Sequence, residues 1–160
     1  MSYFLHKFDT PFGSMIAIGD EKTLYLLAFA ERCNIEKTIK SFSPFKTGQT
    51  KPIIQIEEEI SFYFKNKDHK FKTPFQIKGS PFETQVWEAL QKIPPGSTSS
   101  YATLAQAIGK PKAARAVGNA LKMNPFAILI PCHRVICSNG DLGGYNGGID
   151  KKQGLLRHEQ

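Results

Sequence analysis

Between Phe71 and Ser80 the chain changes rhythm, and that change limits how it can fold. Before it, short apolar stretches alternate with turn residues. After it comes a succession of helix, turn, helix, turn, helix. Pro74, Gly79 and Pro81 punctuate the junction with extended, helix-breaking sequence. A boundary near residue 78 follows, with two small domains expected at 1–78 and 79–160, which a chain of 160 residues can accommodate.

The first part reads as a small α/β unit. Met15–Ile18 and Leu24–Phe29 are apolar stretches separated by the turn-forming Gly19-Asp20-Glu21, which predicts a hairpin. Ile35–Phe42 and Ile53–Phe64 carry apolar residues at helical spacing. The second begins after Pro52 and is expected to turn Glu57, Glu58 and Glu59 toward water. His6, Cys33 and His69 share no chelate-type spacing, so no metal site is expected.

The second part predicts a helix over Phe82–Ile93, with Phe82, Val86, Trp87 and Leu90 on one face and Pro94-Pro95-Gly96 as its stop. Ser100 is a suitable N-cap for Tyr101–Ile108, which ends at Gly109. After the Lys110-Pro111 turn, Lys112–Met123 forms a third helix, rich in alanine and basic on one side. Two short helices about a tight turn, the second basic, is a helix-turn-helix layout, though tri-helical cores also occur without DNA. Ile128–Ile130 reads as a buried strand leading into Pro131-Cys132-His133-Arg134. The glycine-dense Asn139–Gly148 segment lacks the Gly-Lys-Ser/Thr of a phosphate loop and the dinucleotide fingerprint, and reads as a pair of tight turns. A final helix is expected over Lys151–His158, with Glu159 just beyond it.

Composition enters where it excludes classes. An apolar fraction of 41% supports a packed core rather than disorder. No window approaches 18 uninterrupted apolar residues and no signal-like N-terminus is seen, so neither a membrane span nor secretion is expected. Three cysteines suit free thiols in a reducing, cytoplasmic setting. The net charge of +7 is concentrated late in the chain: residues 101–160 hold eight Lys and Arg against three Asp and Glu. That bias is compatible with a polyanionic partner such as DNA.

A cysteine in an apolar stretch is ordinarily a small core residue. Three neighbours argue for chemistry at Cys132. His133 is adjacent, Arg134 adds positive charge, and Glu159 ends a helix that can fold back. A thiol is nucleophilic at neutral pH only as thiolate, and an imidazole held by a carboxylate is a usual way to remove its proton. In a strand, however, Cys132 and His133 would face opposite ways and would need a bend or a bridging water.

The run IPCHRV, preceded by SYATLAQAIGKPKAARAVGNALKMNP and followed by GGYNGG and LLRHE, resembles the O6-alkylguanine-DNA alkyltransferase family from about Pro81 to Glu159. The resemblance implies a ribonuclease-H-like N-terminal domain beside a helical, winged-helix-like C-terminal domain. It implies direct-reversal repair: one irreversible transfer of an alkyl group from O6-alkylguanine, with O4-alkylthymine as a further candidate, onto Cys132. His133, through a water, would accept the thiol proton, Glu159 would orient His133, and Asn124 would tie the recognition helix to the turn bearing Cys132. Tyr101 would donate to the everted base and crowd its phosphate. The carbonyls of Cys132 and Val135 would accept from the base amine, and the amide of Asn146 would approach O6. Arg115 would fill the vacated stack, with Ala113, Ala114, Gly118 and Ser138 against the duplex. The implied partner is double-stranded DNA read through the minor groove by a monomer, without cofactor or metal. Asn146 departs from the family's usual Ser, and Glu83 from a usual neutral residue. Three rivals remain: a non-catalytic lesion binder, a helix-turn-helix regulator and a cysteine hydrolase.

Overall fold

The hairpin expected from Met15 to Phe29 forms one edge strand of a four-stranded sheet and its neighbouring strand. Strands β1 (Tyr3–Thr10), β2 (Gly13–Gly19) and β3 (Leu24–Phe29) form an antiparallel meander, and β4 (Phe45–Thr47) adds in parallel beside β1, in the order β3-β2-β1-β4. This computed structural model describes residues 2–160. β1 and β4 were not expected from the sequence. β1 is broken by the exposed Lys7 and is mostly half-buried, so it carries no clean alternation.

Helices cover both faces of the sheet. Ile16, Ile18, Leu26 and Ala28 pack with Ile35 and Ile39 of α1 (Ile35–Lys40) and with Phe42. Met15, Ala17, Leu27 and Phe29 point the other way by the two-residue period of a strand, and α2 (Lys51–Lys65) packs against β2 and β1 through its buried Ile53, Ile56 and Ile60. With both faces covered, β3 is buried along its whole length, which explains its uninterrupted apolar sequence.

One expectation about α2 fails. Glu57 and Glu58 are at least partly in water, but Glu59 is only 6% exposed. Three residues beyond Ile56 and one before Ile60, it lies on the buried stripe. Its carboxylate is satisfied there by the amides of Lys72 (2.9 Å) and Thr73 (2.8 Å), the Thr73 hydroxyl and His69 Nε2 (2.9 Å). Burial alone would raise its pKa; these hydrogen bonds, led by those of Thr73 and His69, hold it below the usual carboxylate value. The charge thereby anchors the extended segment that precedes residue 77, where the chain passes from one compact unit (Met1–Gln76) to the other (Ile77–Gln160).

The second unit holds α3 (Pro81–Leu90), α4 (Tyr101–Ala107), α5 (Ala114–Lys122) and α6 (Ile149–His158), with a two-stranded parallel ribbon of β5 (Ser99–Ser100) and β6 (Val135–Ile136). α3 opens with Pro81 at its first turn and a capping box. Ser80 Oγ accepts from the Glu83 amide (3.1 Å), and Glu83 Oε1 accepts from the Ser80 amide (2.9 Å). Glu83, unusual for the resembled family, thus has a structural task. Ser100 caps α4 by accepting from the Thr103 amide at 3.0 Å. Trp87 pins α3 to α5 by donating to the Ala120 carbonyl at 2.9 Å.

The strand expected over Ile128–Ile130 is instead a turn, with Ile128 at a φ of 72°. All three residues are buried. A short apolar run signals burial and not its backbone form; here Asn124 and Pro131 impose turns on both sides.

Candidate active site

The geometry of the site starts at the end of α5. Asn124 Oδ1 accepts from the Phe126 amide (2.9 Å), a local side-chain turn that reverses the chain. Its Nδ2 donates to the Ile130 carbonyl (2.8 Å) and lies 3.1 Å from Cys132 Sγ. One side chain therefore ties the helix end to the approach of the cysteine. Pro131 follows in an inverse γ conformation (φ −79°, ψ 65°), with the Cys132 amide bonded to the Ile130 carbonyl at 2.7 Å.

Cys132–Arg134 is a single tight 3-10 turn, with the Arg134 amide donating to the Pro131 carbonyl at 3.0 Å. Three residues per turn spread successive side chains by about 120°. Cys132 therefore faces a cleft while His133 and Arg134 turn inward, which removes the opposite-faces difficulty of a strand. Cys132 is 9% exposed at the cleft, and His133 is fully buried.

Behind the cysteine, α6 returns Glu159 to the turn. His133 Nε2 is 2.8 Å from Glu159 Oε2, so it is the nitrogen that carries hydrogen toward the carboxylate. Nδ1 is buried and has no protein partner among the described residues. Arg134 grips the same carboxylate bidentately, Nε to Oε1 and Nη2 to Oε2, both 2.8 Å, and its Nη1 donates to the Ile93 carbonyl at 2.6 Å. Burial pushes the His133 pKa down, and the charges of Arg134 and Lys152 assist; the pull of Glu159 does not compensate. His133 is therefore neutral at pH 7 and Nδ1 is free to take a proton.

The cleft, ≈ 250 Å³, is lined by Tyr101, Arg115, Gly118, Cys132, Tyr145 and Asn146 among others. That is below the ~300 Å³ usual for drug-sized ligands and suits one planar, base-sized group. Burial raises the Tyr101 pKa, and negative charge at Cys137 or Cys132 raises it further, so its hydroxyl stays a donor. Gly143, at a φ of 72°, lies so close to Tyr101 that an added Cβ would fall 2.8 Å from the hydroxyl. Asn146 Nδ2 donates to the Lys122 carbonyl at 2.7 Å, binding the glycine loop to the end of α5.

Among the residues proposed from sequence, Tyr101, Arg115, Gly118, Cys132 and Asn146 meet at the cleft; His133, Asn124 and Glu159 stand behind it. Val135 is fully buried and does not line the cleft, and its carbonyl accepts from Lys152 Nζ at 2.6 Å. Ala113, Ala114 and Ser138 are also outside the lining, and Ser138 is exposed. Sequence reasoning missed Lys152 and the second role of Arg134. The available signal for Lys152 was helical spacing: residues 152 and 155 share one face of α6, and Glu159 at its C-cap continues that face.

Comparisons with known proteins bear on the family and the fold. Residues 81–160 match the model of the 6-O-methylguanine DNA methyltransferase DNA-binding domain. Over 155 residues the chain is 39% identical to a methylated-DNA–protein-cysteine methyltransferase of Mycolicibacterium paratuberculosis, covering 95% of this chain and 89% of the relative. It is 37% identical to a protein of the same name from Methanosarcina acetivorans, covering 95% of both chains. The fold superposes on the crystal structure of Mycobacterium tuberculosis OGT in complex with DNA with a TM-score of 0.87 at 35% identity, over 98% of this chain and 92% of that one.

Proposed function

The chain belongs to the 6-O-methylguanine DNA methyltransferase family, and from that premise we propose that it repairs DNA by direct reversal, moving an alkyl group from O6-alkylguanine to its own Cys132. The observation that carries the reading is a cysteine opening on a base-sized cleft with a neutral imidazole and a buried carboxylate behind it.

The base must leave the stack to reach the sulfur, at roughly a few kcal/mol, less where alkylation weakens pairing. Tyr101 crowds the phosphate as the nucleotide turns out, and Arg115 occupies its place. Both line the cleft. Cys132 gives its proton through a water to His133 Nδ1, with Nε2–H held on Glu159. The thiolate then displaces the alkyl carbon from O6: a sulfur–carbon bond forms, the carbon–oxygen bond breaks, and guanine leaves with its charge supported by the Tyr101 hydroxyl. The Asn146 amide approaches O6. The Cys132 carbonyl holds the base amine, while the Val135 carbonyl stands behind the cleft as an acceptor for Lys152. The thioether has no return path, so each molecule acts once, without cofactor.

Residues 79–160 carry the chemistry and the DNA surface, and residues 1–78 support them. The meander with a parallel fourth strand under two helices favours a ribonuclease-H-like description of the first domain. Helices α3, α4 and α5 with the β5–β6 ribbon favour a winged-helix-like second domain. Small residues at the N-cap of α5 (Ala113) and on the helix (Ala114 and Gly118), with Ser138, favour close approach to a minor groove, where sequence information is degenerate. The chain acts as a monomer, and three cysteines without disulfide bonds, Cys33, Cys132 and Cys137, suit the cytoplasm.

The test is the intact mass of the protein after mixing with a duplex containing O6-methylguanine. A gain of ~14 Da, absent in Cys132→Ala, is expected for one methyl replacing one hydrogen. An unchanged mass under tight binding indicates a lesion binder, and repeated turnover of an ester or peptide a hydrolase.

A further inference from the structure

One buried cation is not used by the transfer chemistry. Lys152 is fully buried, and its Nζ donates to the carbonyls of Val135 (2.6 Å) and Gly144 (3.1 Å). Buried ammonium groups are normally balanced by an anion. Glu159, at the C-cap of α6, is already taken by Arg134 and His133. The neighbouring Lys151 is paired with Asp150 at 3.5 Å. Tyr101 and His133 are held neutral by burial. The buried ions around the turn are thus two cations, Arg134 and Lys152, and one carboxylate. Neutrality is reached when one of the two thiols whose charge Lys152 feels, Cys132 or the half-buried Cys137, has lost its proton to solvent, with His133 relaying it and returning to its neutral form. Cys132 is the one at the cleft.

Resting on the reading of Cys132 as nucleophile, we propose that Lys152 is a positioning residue for the transfer: its ammonium is the counter-charge of the Cys132 thiolate and clamps the glycine loop, at Gly144, to strand β6. Burial drives the lysine toward its neutral form, and negative charge on Cys132 and Cys137 opposes this. The clamp and the thiolate therefore support one another. Alkylation turns the sulfur into a neutral thioether and removes that support, so the reaction itself loosens the loop bearing Tyr145 and Asn146.

The test is the pH dependence of Cys132 carboxamidomethylation by iodoacetamide without DNA, read by peptide mass, in wild type, Lys152→Met and Lys152→Arg. The expected wild-type midpoint lies below the ~8.5 of a free thiol. Lys152→Met moves it upward, with about tenfold or greater loss of rate at neutral pH that recovers in alkali, whereas Lys152→Arg keeps the wild-type midpoint. A Lys152→Met profile that overlays wild type, or falls equally at every pH, overturns the proposal. Should Lys152→Met not fold, the wild-type midpoint decides, and a value at or above ~8.5 overturns it. Methyl transfer from O6-methylguanine is measured alongside. A midpoint shift without transfer refutes the nucleophile's function and leaves the counter-charge standing, and transfer without a shift does the reverse.

Discussion

His133 Nε2 lies 2.8 Å from Glu159 Oε2, and the same carboxylate receives both arms of Arg134. Glu159 is therefore shared between orienting a base and neutralising a buried cation. This explains how a carboxylate that is 1% exposed can stay ionised one residue beyond the end of α6.

Removing that charge is expected to affect both tasks. Glu159→Gln keeps the shape but leaves Arg134 buried without its anion, which typically costs about 3–5 kcal/mol. It also releases the His133 tautomer, and loss of a positioned general base lowers a rate by roughly 10²–10⁴-fold. Urea unfolding and single-turnover methyl transfer check the two effects separately. A variant of wild-type stability and rate would place the proton path elsewhere.

The depressed pKa of His133 has a definite sign for stability. Folded His133 stays neutral where the unfolded chain, with an imidazole pKa of ~6.5, takes up a proton. The unfolded state then binds more protons, so stability is complete above that value and declines as pH falls through it. Acidification from about pH 7.5 to about pH 5.5 is expected to destabilise the wild type, and His133→Gln is expected to lose most of that dependence. Denaturant midpoints at the two pH values measure it.

Much of this architecture was legible in the sequence, and the misses share a cause. Helices were found where apolar spacing and caps coincide, as at Ser80 with Pro81 and at Ser100. The hairpin was visible because Gly19-Asp20 punctuates two fully apolar runs. What escaped was whatever depends on partners distant in sequence. Glu59 looked solvated because its buried donors lie at residues 69–73. Ile128–Ile130 looked extended because its turn is set by the side chain of Asn124. Lys152 looked like one more surface lysine until Val135 and Gly144 were brought to it.

Alkylation of Cys132 is expected to destabilise the protein. Asn124 Nδ2 lies 3.1 Å from Sγ and also holds the Ile130 carbonyl. A methyl added in so tight a site forces overpacking of about 1–3 kcal/mol and displaces the amide. The S-methylated protein should melt lower, by roughly 2–4 °C per kcal/mol, and an unchanged or higher melting temperature counts against this account. Asn124→Ala should lower the melting temperature of the unreacted protein and narrow its difference from the methylated form.

Two glycines facing Tyr101 give opposite expectations. At Gly118, in the middle of α5, a new Cβ would meet the Tyr101 ring at 3.8 Å, an ordinary contact, and alanine gains roughly 0.5–1 kcal/mol in a helix interior. Gly118→Ala should therefore fold as well as wild type or better; if α5 lies against the duplex as proposed, it will nevertheless bind DNA more weakly. At Gly143 the φ of 72° already disfavours a side chain, and the Cβ would lie 2.8 Å from the Tyr101 hydroxyl and 3.3 Å from Cys137 Sγ. Gly143→Ala must shift either the loop or the phenol, so methyl transfer should fall. If displacement of the phenol is the cause, Tyr101→Phe should show a comparable loss, and Gly143→Ala should add little to it. Thermal melts, duplex binding and single-turnover transfer on the three single variants and the Gly143/Tyr101 pair separate these effects. Additive losses in the pair would show that Gly143 serves the loop rather than the phenol.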